Sequence, residues 1–432
     1  MSRVIQVFEF EKLTLHKDHR NRYLKPRELE RLYEFNDNNK NIYFTGIRDG
    51  IKLKNYVGVI QLGGLTIEIL PKTDNNNSED NDFVAWHRAL LNMLRITKHI
   101  NVSSVSEASL KKKHNSLLDL YFEMYLDEVQ NLIRVGLIKK YRRHSSNVLA
   151  LKGRLDFNKN IQQNLIHQER FYTEHQVYDH ENLMNQIILK GLNVLEDLTS
   201  NSQLKDKIIR LRASFPEIKE IQIQRYHFDK IRVNRKTTSY SRALQIAKMI
   251  ILNYSPDIRS GQENMIALLF DMNKLWEEYI YRMLIRVERD DVSVNFQNTQ
   301  NFWQERTIRP DIVITHKKPV EFKESEEPEV TETYIIDTKW KVLDAINPRP
   351  SDDDLKQMYS YNLYWDAKRS MLLYPNSNDT NEEFGNYWKG RDNPDDNQCK
   401  VGFINVLNDE NQLDFGIGDR ILKKIIFDKQ EN

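Results

Sequence analysis

Two acids and a lysine in the last third of the chain have the types and spacing for phosphodiester chemistry. Asp311 follows Pro310 and heads the apolar run Ile312-Val313-Ile314. Asp337 and Lys339 close the run Tyr334-Ile335-Ile336, with 25 residues between the two aspartates. Strand side chains alternate, so Asp337 and Lys339 share a face while Thr338 points away. If the two runs pair as strands, Asp311 meets Asp337 on that face, and two carboxylates and an ammonium converge at a sheet edge. Hard divalent cations such as Mg²⁺ take oxygen ligands and keep several waters, so two or three carboxylates suffice. Such a cation lowers the pKa of a water and stabilises charge on a scissile phosphate, and a nearby lysine orients that water. An exposed hairpin with Asp and Lys paired at a strand end would leave the same letters, and Asp-x-Lys alone says little.

The neighbouring residues add weight through their order. Glu277 lies on a helical stretch just upstream, where one more carboxylate can reach the sheet. Gln357 and Tyr361 are spaced i, i+4 on a helix downstream and therefore share a face. Lys341 shares the face of Lys339 and is a candidate phosphate contact. Trp340 faces the other way and is expected to pack beneath the sheet.

The elements that must position these residues are legible as patterns. Residues 1–73 read as short strands (VIQVFEF, NIYFTG, KNYVGVIQLGG, LTIEILPK) with one short helix, PRELERLYEF, and a hairpin signal at Gly63-Gly64. The polar break 74–82 reads as a loop. Two amphipathic stretches, FVAWHRALLNMLRIT and SLLDLYFEMYLDEVQNLIRVGL, read as helices. Residues 139–157 read as two β-like runs around a polar turn, HSSN, and carry the basic cluster Lys139, Lys140, Arg142 and Arg143. Residues 180–252 read as helical, broken near Phe215-Pro216. From 264 a single long helix, NMIALLFDMNKLWEEYIYRMLIRV, precedes alternating strands and helices. That alternation predicts an α/β domain within a chain that is α+β overall. The expected organisation is a β-rich segment with helices over 1–115, a helical and hairpin region over 116–258, and a catalytic domain over 259–432. The boundary is expected in SPDIRSGQ, 255–262.

Composition narrows the class. The chain has 432 residues, with 64 basic and 63 acidic side chains for a net charge of +1, so it is no polycation. Nucleic acid would have to be met through a local patch or a metal site. Apolar residues at 39% allow real cores, and 14 Gly with 11 Pro exclude a collagenous or wholly disordered chain. The single cysteine, Cys399, excludes an internal disulfide or a Cys-rich zinc site and fits a reducing compartment. The histidines fall in no metal-binding frame, so no zinc is expected. The first residues lack the apolar core of a secretory signal, and no apolar run reaches membrane-spanning length. A soluble, cytoplasmic protein with no membrane partner is expected. No Ser/His/Asp order supports an acyl-transfer hydrolase.

The set Glu277, Pro310-Asp311, Asp337-Thr338-Lys339, Gln357 and Tyr361 resembles the PD-(D/E)xK nuclease superfamily over roughly 263–410. The resemblance implies that Asp311, Asp337 and Glu277 bind metal, that Lys339 assists the attacking water, and that Gln357 and Tyr361 line the substrate side. A closer resemblance covers nearly the whole chain. YVGVIQLGGLTIEILPK (56–72), LKGRLDF (151–157), YDHENLMNQIILKGL (178–192) and FDMNKLWEEYI (270–280), with RPDIVI and IIDTKWK, look like the McrC family, the nuclease subunits of the McrBC modification-dependent restriction system. Asn182 within these phrases is expected to cap a helix start.

This resemblance implies an amino-terminal region that binds and activates an oligomeric McrB-like AAA+ GTPase, followed by a restriction-endonuclease-like domain that cuts double-stranded DNA with Mg²⁺. GTP would be bound by the partner, since this chain has no G-x-x-x-x-G-K-[ST] loop. Reading of 5-methylcytosine would also belong to the partner, and the setting would be antiphage defence. Arg142, Arg143 and Arg154 are the candidate contacts to the ring, because an arginine near a γ-phosphate accelerates nucleotide hydrolysis; solubilising charge is the plainer alternative. Six carboxylates in 321–332 would repel DNA, so that insert is expected to point away. Two rivals stay open: an autonomous recombination or repair nuclease, and a non-cleaving adaptor that only activates the ring.

Overall fold

A computed structural model describes residues 3–72, 80–97, 99, 117–199, 201–255, 264–317, 331–341, 349–376, 384–387 and 397–426. The fold is α/β with mixed sheets, as the alternation of elements predicts. The chain packs as two compact units that differ from the three consecutive segments expected. One holds 1–3, 59–66 and 102–268; the other holds 4–58, 67–101 and 269–432. The amino-terminal residues thus divide between the units. Among the described residues no helix is long and apolar enough to cross a membrane.

The first unit has a helical body. Helices Leu117–Val135, Leu183–Leu198, Ser202–Ala213 and Ser241–Leu252 bury Tyr121, Phe122, Tyr125, Leu192 and Ile250. The Tyr125 hydroxyl donates to the Ile188 carbonyl at 2.6 Å, and a Cβ on Gly191 would lie only 2.2 Å from that hydroxyl. Asn182 does cap a helix: its side chain accepts from the Asn185 amide and donates to the Ile138 carbonyl. The Tyr240 hydroxyl, bonded to both Asn185 and the Ile138 amide, ties the last helix to the same point.

The unit also carries an arm of three strands. Lys140–Val148 is one continuous strand paired antiparallel with Phe171–Asp179 over nine residues, and Arg154–Leu155 pairs on the far edge of the latter. The turn expected at HSSN is therefore not a turn. Those four polar residues sit mid-strand because the arm has solvent on both faces, so no apolar alternation marks it. The real reversal is the stretch 149–170, which carries the helix Phe157–Asn164. Gly153 has φ +69°, and a Cβ there would lie 2.4 Å from the Glu174 carbonyl oxygen.

The second unit is built on a six-stranded sheet in the order Val292–Phe296, Ile312–Lys317, Thr331–Thr338, Arg369–Asn376, Gln398–Asn405, Gly385–Asn386. The first three strands are antiparallel, and the third to fifth are mutually parallel. The central strands are apolar on both faces, as a sheet covered by helices requires. Helix Asp352–Tyr364 lays Met358 and Tyr361 on Ile335, Leu372, Tyr374 and Phe403. The expected long helix from 264 is really a strand, Met265–Asp271, followed by a helix, Met272–Leu284. Asp271 marks the change by accepting from the Asn273 amide as N-cap. A buried apolar run such as MIALLF has no periodicity that separates strand from helix.

The polar break expected over 74–82 gives way to helix by Asp80. Its earlier part, the boundary after Ser255 and nearly all of the acidic insert 321–332 lie outside the described residues. Substituting Gly153→Ala should destabilise the arm by about 1–3 kcal/mol, the size of a strained backbone residue. Hydrogen exchange should then rise across 140–148 and 171–179 while the helical body stays protected.

Candidate active site

Strand register brings the two aspartates together. Ile312 pairs with Ile336 in the antiparallel ladder, so Asp311 and Asp337 lie one step beyond, on the same rim. Asp311 is fastened there: its Oδ2 accepts from the Thr338 amide at 2.7 Å and from the Thr338 hydroxyl at 2.9 Å. Asp337 is 2% exposed. The Lys339 amide still donates to the Leu373 carbonyl at 2.9 Å, which carries the parallel pairing past the strand end and aims the side chain. Its ammonium stands 2.7 Å from Asp337 Oδ2 and 3.1 Å from Asp354 Oδ1.

Helices on either side supply the rest. Glu277, on Met272–Leu284, accepts from Gln297 Nε2 at 2.6 Å. On Asp352–Tyr364, Gln357 donates to the Tyr361 hydroxyl at 2.6 Å, and that hydroxyl donates to the Arg309 carbonyl at 2.8 Å. Tyr361 is thus a strut between the helix and the backbone leading into Asp311. Lys341 is more exposed and stands 3.8 Å from Asp354 Oδ2.

The electrostatics are those of crowded like charges. Burial, reinforced by Asp311, pushes the Asp337 carboxyl above its ordinary range, against the pull of Lys339. Burial and Glu277 push Asp311 up in the same way, against the two Thr338 bonds. Burial also raises Glu277, opposed by Gln297 and Arg309. Lys339 is raised despite its own burial, because Asp337 and Asp354 hold its charge. The site therefore combines three acids that resist ionising together with one fixed cation.

That donor set fits a hard divalent cation by chemistry, since every candidate ligand is a carboxylate oxygen. Among the described residues, however, no three acidic, histidine or cysteine side chains are gathered closely enough to form a ready metal cage. A cation here would be held by one or two carboxylates at a time with water completing its shell, which is how Mg²⁺ is ordinarily bound.

Seven residues expected in the site, Glu277, Asp311, Asp337, Lys339, Lys341, Gln357 and Tyr361, fall in this one unit around the same rim. Three others were missed, Asp354, Gln297 and the Arg309 carbonyl, and Thr338, expected to point away, instead bonds Asp311 through both its amide and its hydroxyl. Asp354 hid among three acids in a helix first turn, where Ser351 as N-cap explains them without chemistry. Arg142, Arg143 and Arg154 lie on the arm of the other unit. Arg142 is committed internally, gripping Asp179 and reaching Glu181 at 2.9 Å. Arg143 is 82% exposed and 3.4 Å from Glu174.

One buried acid outside the set supports it. Trp340 does pack beneath the sheet, edge-on to Trp276 and Trp86, and its indole N–H donates to Glu9. Those tryptophans adjoin Lys339 and Glu277 in sequence, so their packing fixes both backbones. Burial drives Glu9 from 4.5 up to about 8.

Comparison with known proteins gives concordant findings. A family profile described as McrBC 5-methylcytosine restriction system component matches residues 51–375. The chain is 23% identical over 198 residues to the Type IV methyl-directed restriction enzyme EcoKMcrBC of Escherichia coli (strain K12), a match covering 45% of this chain and 56% of that protein's length. Its fold is similar to a chain from a half-complex of the tetradecameric assembly of Thermococcus gammatolerans McrB AAA+ hexamers with bound McrC. The TM-score is 0.65 at 16% identity, over 98% of this chain and 99% of that one.

Glu9 yields a prediction about pH. In the unfolded chain it ionises near 4.5 and in the fold near 8, so its contribution is whole below pH 4.5 and is lost as pH rises through 8. Glu9→Gln, which keeps the acceptor for Trp340, should match the wild-type Tm near pH 4.5 and exceed it by roughly 5 °C at pH 9. Thermal melts across that range check it.

Proposed function

The chain belongs to the family of McrBC 5-methylcytosine restriction system components, and from that premise we propose that it is the DNA-cleaving subunit of such a system. The observation that carries this reading is the buried Asp311–Asp337 pair beside Lys339 at the sheet rim. An adaptor has no physical use for repelling carboxylates held in a low-dielectric pocket.

The proposed reaction is hydrolysis of a DNA phosphodiester. Mg²⁺, when bound, would lower the pKa of a water and offset charge on the phosphate. Asp311, Asp337 and Glu277 are the carboxylates that would hold it, one or two at a time with water completing the shell. Their elevated pKa values mean that cation and protons compete for the same oxygens. Asp337 and Asp354 hold the Lys339 charge, so its part is to orient the attacking water and balance charge. Gln357 and Tyr361 brace the backbone that presents Asp311. Lys341 extends toward the flanking phosphate.

The partner in this reading is an McrB-like AAA+ GTPase ring that binds the GTP, with double-stranded DNA as substrate and the cytoplasm as the setting. The similar solved assembly has McrB hexamers with bound McrC, and we extend that arrangement to this chain. Its arm supports the extension: Leu149, Leu151, Phe157, Ile161, Leu165 and Ile166 are all exposed, Ile166 by 87%. Apolar side chains clustered in solvent mark an interaction surface. With Arg142 bound to its own strand partner, Arg143 and Arg154 are the arginines left for the ring.

Two experiments test these assignments. Purified chain, its cognate AAA+ partner, GTP, Mg²⁺ and modified duplex should give cleavage that Asp337→Ala reduces at least about a thousandfold while GTPase stimulation persists. Cleavage retained by Asp337→Ala would remove the catalytic assignment, and vigorous cutting without the partner would favour an autonomous nuclease. Separately, Ile166→Asp with Leu165→Asp should abolish GTPase stimulation, and Arg143→Ala should lower it at least tenfold if that side chain approaches the nucleotide. Stimulation unchanged by all three would move the ring contact off the arm.

A further inference from the structure

Between the strand Val292–Phe296 and its antiparallel neighbour Ile312–Lys317, the chain makes an excursion that the catalytic site does not need for its own geometry. Gln300–Trp303 and Arg306–Ile308 form a separate two-stranded ribbon, solvent-exposed on both faces save for half-buried Gln300 and Ile308 at its base. Isolated ribbons of this kind are marginally stable in water. This one is tied down at its feet, and both feet are in the acid site. Gln297, at φ +49° where the chain leaves the sheet, donates its amide to the Asp311 carbonyl at 2.8 Å and its side chain to Glu277 at 2.6 Å. On the return, the Arg309 carbonyl is held by Tyr361.

The far end is chemically unusual. Phe302 is 48% exposed and Trp303 58%, on a short hairpin that turns through Gln304 and Glu305. The register shifts between Asn301 and Trp303, so Phe302 is the extra residue of a bulge, a device that re-aims side chains. Tyr364, on the helix that carries Gln357 and Tyr361, fixes the bulge: its hydroxyl donates to the Phe302 carbonyl at 3.2 Å and the rings sit 5.6 Å apart. Arg306 lies across from Trp303, its guanidinium 5.8 Å from the ring centroid. A large aromatic face and a cation are thereby presented together in water.

We propose that this ribbon is a DNA-engaging wedge, with Trp303 stacking on a base or sugar of the duplex beside the scissile phosphate and Arg306 meeting the adjoining phosphate. The assignment rests on the DNA-cleavage reading above and adds to it the element that grips the substrate. Reach is adequate: the seven residue steps from Asp311 to Gln304, fully extended, span roughly 23 Å at most, about seven base-pair steps. A duplex seated with a phosphate at the acids and running along the ribbon meets the tip within that span. Aromatic side chains supply stacking that tolerates every base, and an arginine beside one supplies charge without sequence preference. Such a wedge suits a subunit whose own chain need not read sequence.

The test measures equilibrium binding of the full chain to a fluorescent 30-base-pair duplex in EDTA, where no cutting occurs, across a salt series. Trp303→Ala should weaken binding about tenfold or more, and Trp303→Phe should restore most of it. Arg306→Gln should flatten the log-affinity against log-salt slope by about one unit. Arg48→Gln, which removes an exposed arginine charge elsewhere on the chain, serves as the control and should bind as wild type does. Binding unchanged within twofold by Trp303→Ala, with Asp337→Asn inactive in cleavage, would overturn the wedge and leave the nuclease reading intact. No duplex binding by wild type, with no cleavage by the assembled system, would overturn both. Intact DNA binding by Trp303→Ala with lost GTPase stimulation would reassign the ribbon to a protein partner and end the proposal.

Discussion

Two carboxylates pressed together in a poorly solvated pocket are the constraint around which the second unit is arranged. The antiparallel register of Ile312–Lys317 with Thr331–Thr338 puts Asp311 and Asp337 on one rim, and burial makes their repulsion expensive. The surroundings read as measures to hold them there. Thr338 gives Asp311 two hydrogen bonds, and Lys339 brings a cation to Asp337. Asp354 then helps keep Lys339 charged and in place. A site of this kind spends stability on a geometry that suits a third party, a cation or a phosphate. The tryptophan cluster under Lys339, with Glu9 beneath it, supplies rigidity where the strands end.

The two units answer different physical demands. The second has a covered sheet and encloses its polar groups. The arm of the first has solvent on both faces, and its stability comes from a nine-residue ladder and a glycine that lets the backbone of 151–155 lie against Glu174. An element that displays leucine, isoleucine and phenylalanine to water is complete only when something covers them.

Much of this was legible in the letters, for a stated reason. Strands buried on both faces are uniformly apolar, so Ile312-Val313-Ile314 and Tyr334-Ile335-Ile336 announce themselves, and an acid at the end of each is conspicuous. Helices such as Leu117–Val135 show their buried stripe directly. The failures occur where pattern and environment part company. MIALLF is as apolar as a buried helix, and only the Asp271 cap reveals the change from strand to helix. HSSN looks like a turn because a strand with no core behind it has no reason to alternate. Asp354 and Gln297 were hidden because their importance lies in partners distant in sequence, Lys339 and Glu277. The division into two units was hidden too, since the amino-terminal strands are divided between them.

The central claim is that the rim carboxylates form a cation site. The direct measurement is calorimetric titration of the full chain with Mg²⁺ at pH 8 and pH 6, for wild type and Asp337→Asn. The account predicts saturable binding in wild type, weaker at pH 6 because protons occupy the raised carboxyls, and lost in Asp337→Asn. Wild-type protein that binds no cation, or binds it equally well with Asp337→Asn, would contradict it.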